Sequence, residues 1–252
     1  MDKGQYVLRD EEHAATLFDR ACQGHVGDGC ASLGAAYLRG RGVRRDSLRA
    51  ASLFRQGCDN HSMEGCTRLG VLYRRGAALT QDVALAASLF QQACDGGNMS
   101  GCANLGMLHM TGAGVSEDIA RAATLFQRSC DAKVPLGCLG LGRLFAAGTG
   151  MMRNDSTAAA LFKQSCDGDE VDGCVLLADA LAAGVGVPQN YQRAADLYRE
   201  ACGNRHGEAC VRLAALYDKG AGVHRDPERA TALRRRACEL GHADACDKPK
   251  RV

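Results

Sequence analysis

Fourteen cysteines fall in seven pairs, and every pair repeats one spacing. Cys22 and Cys30, Cys58 and Cys66, Cys94 and Cys102, Cys130 and Cys138, Cys166 and Cys174, Cys202 and Cys210, and Cys238 and Cys246 each stand eight residues apart, and each pair begins 36 residues after the last. No insertion breaks the series. Self-similarity at a period between about 20 and 50 residues is the mark of a solenoid, whose repeats bury their apolar faces against their neighbours. The 252 residues are therefore read first as one repeat array.

Alignment on the second cysteine of each pair gives a first helix, helix A, in stretches such as Cys30-Ala-Ser-Leu-Gly34-Ala-Ala-Tyr37 and Cys66-Thr-Arg-Leu-Gly70-Val-Leu-Tyr73. The same helix reads Cys102 to His109 and Cys138 to Phe145 in the next repeats, with Ala178 and Ala214 at the glycine position of the last two. A leucine followed by Gly or Ala sets a large apolar group beside a notch where a helix can approach closely. Helix A ends at paired glycines: Gly40 and Gly42, Gly112 and Gly114, Gly148 and Gly150, Gly184 and Gly186, Gly220 and Gly222. Such glycines tolerate positive φ and close a helix C-terminus. Gly76 is followed by Ala78 instead, so a slightly different turn is expected there. The Gly-x-Gly follows a helix and has no third glycine on spacing, which argues against a phosphate loop.

Asp46, Asp82, Asp118, Asn154, Asn190 and Asp226 then stand as N-caps of a second helix, helix B, and Pro227 occupies a first helical position. Helix B carries Ala50, Leu53 and Phe54, then Ala86, Leu89 and Phe90, then Ala122, Leu125 and Phe126. The i, i+3, i+4 spacing puts these on one face, toward the stack. They read as core.

The first cysteine of each pair closes helix B and the second opens the next helix A. A helix hairpin across the seven intervening residues can bring two Cα atoms within the roughly 4.4–6.8 Å that a disulfide needs. Each such bridge contributes about 2–3 kcal/mol in the chain-entropy model. Zinc ligand pairs usually have about two to four residues between them, which disfavours metal. His25, His61, His206 and His242 lie near cysteines but on no fixed position: the places matching His25 hold Gly97, Lys133, Asp169, Arg205 and Gly241. They are expected to be solvated loop residues. No Cys-x-x-Cys redox motif occurs. Neither a metal nor a cofactor is expected.

Structural disulfides imply an oxidising compartment, so a secreted or periplasmic home is expected. The N-terminus lacks the apolar run of a signal peptide. Net charge is +2 with both signs interspersed, so no nucleic-acid partner is expected. No apolar run of about 18 residues argues for membrane insertion. Both ends read as half repeats. Residues 1–28 are expected to hold helix B only, followed by six full repeats at 29–64, 65–100, 101–136, 137–172, 173–208 and 209–244. Residues 245–252 are expected to be the truncated start of a seventh. A lone helix B leaves an apolar stripe exposed, and a trimmed gene product is inferred.

Gly-Cys-x-x-Leu-Gly-x-x-Tyr, Gly-x-Gly-Val-x-x-Asp and Ala-x-x-Leu-Phe-x-x-Ala-Cys-Asp together resemble the cysteine-rich branch of the Sel-one-like repeats, relatives of the tetratricopeptide repeat. The resemblance runs from about Gly4 to Cys246. It implies an all-α fold, a right-handed solenoid of helix pairs with one disulfide per repeat junction. It also implies an exported adaptor, host-interaction factor or assembly factor, and some members bind β-lactams and are catalogued as weak β-lactamases.

Solenoids present a concave groove lined mainly by helix A. By analogy with tetratricopeptide packing, the residues one, five and eight after the helix A cysteine face it. The fifth position reads Ala35, Val71, Met107, Arg143, Asp179 and Ala215, and the eighth Leu38, Arg74, Met110, Ala146, Ala182 and Asp218. Met107 and Met110, flanked by Arg74 and Arg143, are expected to cradle an extended peptide with an acidic residue, and Asp179 and Asp218 complete the candidate binding set. The function expected is a monomeric, non-enzymatic scaffold for a protein or peptide partner. A β-lactam-binding hydrolase and an assembly factor in an oxidising organelle are the alternatives. No Ser-x-x-Lys, Ser-Asp-Asn, Lys-Thr-Gly or Gly-x-Ser-x-Gly occurs, and no catalytic residue is assigned. Purified, disulfide-intact protein is accordingly expected to turn over nitrocefin at the no-protein rate; turnover above that rate would favour the hydrolase.

Overall fold

The computed structural model describes the backbone of residues 3–246 and the side chains of residues 10–246. The described residues form thirteen α-helices, one 3-10 turn and no strand. They divide into two compact units between Ala132 and Lys133. The first holds α1 (Lys3–Gln23), α2 (Gly27–Arg39), α3 (Ser47–Asp59), α4 (Met63–Arg75), α5 (Val83–Asp95), α6 (Met99–Thr111) and α7 (Ile119–Asp131). The second holds α8 (Pro135–Ala147), α9 (Asp155–Asp167), α10 (Val171–Ala183), α11 (Tyr191–Gly203), α12 (Gly207–Lys219), α13 (Pro227–Glu239) and a 3-10 turn at Ala243–Ala245. Within each unit every helix packs on the next, and helices A also pack on one another, α2 on α4, α4 on α6 and α8 on α10. This is the solenoid-like stacking expected of 36-residue repeats.

The caps follow the local chemistry. Asp46, Asp82, Asp118, Asn154, Asn190 and Asp226 each accept from the backbone amide three residues on. Gly40, Gly76, Gly112, Gly148, Gly184 and Gly220 close helix A in the left-handed conformation. Helix A begins three residues before its cysteine, so α2 starts at Gly27 rather than near residue 29. Asp10, 36 residues before the Asp46 cap, lies inside α1, which starts at Lys3. Of the partial repeat expected at 245–252, residues 247–252 lie outside the described residues.

The notch after the helix A leucine receives the aromatic ring of helix B from the same repeat. A Cβ at Gly34, Gly70, Gly106 or Gly142 would sit 2.6–2.8 Å from the ring of Phe54, Phe90, Phe126 or Phe162. The rings of Phe54, Phe90 and Phe126 are fully buried. Phe18 holds the matching place on α1, and it is 36% exposed beside Leu17 at 49%. Part of the apolar face of α1 is therefore exposed.

Within the two units the bridges that close six of the junctions hold their Cα atoms 4.4–4.9 Å apart, and Cys130 and Cys138 are disulfide-bonded as well. No described cysteine is free. The third residue of each connecting loop turns through positive φ: His25, His61, Gly97, Lys133, Asp169, Arg205 and Gly241. The loop selects a backbone conformation here, not a side chain, which explains why histidines come and go. Ala78 also adopts positive φ, 66°, against 65–71° at Gly42, Gly114, Gly150, Gly186 and Gly222. The different turn expected in that repeat does not occur.

Gly106→Ala is expected to destabilise the protein by about 1–3 kcal/mol in urea unfolding, because forcing the Phe126 ring aside outweighs the gain in helix propensity. Ala78→Gly is expected to raise stability by about 1 kcal/mol by relieving a left-handed conformation that non-glycine residues resist. Unchanged midpoints would contradict both.

Candidate functional site

All six candidate binding residues are half-buried side chains of helices A. Arg74, Met107 and Met110 belong to the first unit, and Arg143, Asp179 and Asp218 to the second. Met107 and Met110 follow Val71 and Arg74 by one repeat on the packed pair α4 and α6.

In the second unit the charged candidates are paired. Arg143 Nη2 donates to Asp172 at 2.9 Å, and His206 Nε2 reaches the other oxygen of that carboxylate at 3.2 Å. Asp179 accepts from the Tyr198 hydroxyl at 2.5 Å, with Arg212 Nε at 3.7 Å. Arg212 also pairs with Glu208 at 2.8 Å, and Glu208 with His242 at 3.0 Å. Asp218 is held by Arg234. Arg234 stands where earlier repeats carry the buried phenylalanine of helix B. The expectation that Arg143 offers an open positive charge is thus corrected: its charge already faces a carboxylate, and those of Asp179 and Asp218 face cations.

Arg74 differs. Among the described residues it forms no ion pair, and its Nε is buried without a hydrogen-bond partner. Burial first, then the charge of Arg75, hold its guanidinium below its ordinary value. Removing a guanidinium from water without a counter-charge is costly.

Two histidines also depart from expectation. His206 caps α12 by accepting from the Ala209 amide through Nδ1. Its Nε2 therefore carries the hydrogen that Asp172 accepts. His242 Nε2 likewise meets Glu208, at 3.0 Å, without a side-chain cap hydrogen bond. These contacts belong to a ladder in which an acid in the first turn of helix A contacts the N-cap of the next helix A. Ser62 donates to Asp28 at 2.6 Å and Asn98 to Glu64 at 3.2 Å in the first unit. His206 and His242 are structural pairs, not solvated loop residues. Lining up first-turn acids with caps 34 residues later would have revealed the ladder in the sequence.

The sequence matches the Sel1 repeat family model at residues 1–25, 27–62, 64–98, 100–134, 135–170, 171–206 and 207–242. The chain belongs to the Sel1 repeat family. No curated protein matches it. Among solved structures, a Sel1 repeat protein from Oxalobacter formigenes is similar with a TM-score of 0.71 at 19% identity, over 90% of this chain and 88% of that one. The c5321 protein, a protective antigen of uropathogenic Escherichia coli strains, is similar with a TM-score of 0.64 at 26% identity over 90% of this chain. The present chain covers 49% of that antigen, about half its length. The immunity protein PA5088 from Pseudomonas aeruginosa aligns with a TM-score of 0.59 at 17% identity, over 88% of this chain and 84% of that one. The present chain is thus a Sel1 repeat scaffold, a class built for protein contacts. Among the described residues no helix is long and apolar enough to cross a membrane.

Burial and the hydrogen bond to Asp179 raise the Tyr198 hydroxyl far above the usual tyrosine range. The neutral form is the stable one in the folded state. Its contribution is complete below the ordinary tyrosine value near pH 10 and is lost as pH rises above it. Absorbance titration is expected to show a tyrosine step that appears only on unfolding, and Tyr198→Phe should remove that late step. A late step that survives the substitution would contradict the assignment.

Proposed function

We propose that the chain is an exported, non-enzymatic scaffold that binds a protein or peptide partner on the helix A face, with Arg74 as its charged anchor. The observation that carries this reading is the half-buried guanidinium of Arg74, which keeps an unpartnered Nε while the other charged candidates are neutralised within their unit. Around it in register stand the apolar fifth and eighth positions Ala35, Leu38, Val71, Met107 and Met110. Methionine adapts its shape to irregular apolar partners. The surface therefore suits an extended segment that presents one carboxylate among apolar side chains. The local disulfides support an oxidising compartment as the place of action.

Selection of displayed random peptides on the oxidised protein is expected to enrich sequences with an acidic residue beside apolar ones. Arg74→Met should weaken a selected peptide about tenfold, the effect of losing one half-exposed charge-assisted hydrogen bond. The same substitution should not lower the melting temperature, because it removes a poorly compensated charge. Arg143→Ala should change affinity little. No enrichment, or binding indifferent to Arg74→Met, would contradict the proposal.

A further inference from the structure

One position of helix A, seven residues after its cysteine, carries a ring in most repeats: Tyr37, Tyr73, His109, Phe145 and Tyr217. Twelve residues further on, helix B often presents an arginine. Where tyrosine and arginine coincide they stack, with the Arg49 guanidinium 4.5 Å from the centre of the Tyr37 ring and that of Arg229 5.1 Å from Tyr217. In the repeat of α10 and α11 the arginine is kept as Arg193 and the ring is replaced by Leu181.

A cavity of about 270 Å³ opens there. Ala159, Leu177, Leu181 and Val187 make it apolar, and Lys163 and Arg193 border it. Lys163 is engaged by Asp167 at 2.6 Å. The side chain of Arg193 is exposed and has no ion pair or hydrogen bond among the described residues; only its backbone amide is used, by the Asn190 cap.

We infer that this cavity receives an aromatic side chain of a partner polypeptide, whose ring replaces the one missing at position 181 and stacks under Arg193. The size fits, since an apolar cavity of roughly 150 Å³ already holds benzene. The chemistry fits too: the walls offer only dispersion and desolvation, and the free guanidinium adds attraction to a π face. An aliphatic side chain gains the first and not the second, so a ring is preferred over leucine by about 2- to 5-fold. The site lies wholly in the second unit and does not involve Arg74, so either reading can fail without the other.

Backbone amide NMR during titration with N-acetyltyrosinamide, N-acetylphenylalaninamide and N-acetylleucinamide tests the inference. Saturable shifts are expected at Leu177, Leu181, Val187 and Arg193, with the two aromatic probes tighter than the leucine probe. Leu181→Tyr should abolish the shifts while keeping the helical circular dichroism spectrum, since tyrosine stands at this position in three other repeats. Arg193→Ala, which alters only an exposed side chain without partners, should keep the fold and erase the preference for rings even if Leu181→Tyr does not fold. Absence of saturable shifts, equal affinity for the leucine probe, or a ring preference that survives Arg193→Ala would overturn the inference.

Discussion

Within each unit, every junction between helix B and the following helix A is held by a covalent closure only eight residues long, with Cα atoms 4.4–4.9 Å apart. At that separation the hairpin has little freedom left: the loop between the cysteines must reverse within seven residues, and its third residue must pass through positive φ whatever its side chain. The sulfur bridge thus fixes where each helix A begins relative to the helix B before it. The glycine notch then fixes how deeply the ring of the next helix B can seat. Covalent and van der Waals constraints alternate along the chain, and neither reaches beyond a neighbouring helix.

That locality explains what could be read from the sequence. Caps such as Asp118, turn glycines such as Gly112 and ring positions such as Phe90 act within a few residues or one helix pair, so periodicity exposes them directly. The polar pairs were not legible in the same way. Arg143 and Asp172 are 29 residues apart, Asp172 and His206 34, and neither follows from the propensity of its own helix. A free arginine in the alignment and a neutralised one in space look alike until the neighbouring repeat is laid beside them. Ala78 misled for the opposite reason: the closed turn enforces the conformation that glycine would adopt freely.

The two units use the same frame differently. In the second, positions that could meet a partner are filled by Tyr198 with Asp179, Arg234 with Asp218, and Arg143 with Asp172 and His206. In the first, the equivalent surface is apolar around one unsatisfied guanidinium. Of the charged candidate positions, only Arg74 is left without an internal partner. The vacancy under Arg193 is the apolar counterpart, a ring omitted where the stacking cation remains.

The stacking of every helix pair depends on the cysteine connectivity. Proteolysis of the unreduced protein after blocking of any thiols, followed by mass spectrometry of the linked peptides, measures it directly. Every linked pair should join cysteines eight residues apart, with no blocked thiol. Links between cysteines of different junctions, or a substantial yield of blocked thiols, would contradict it.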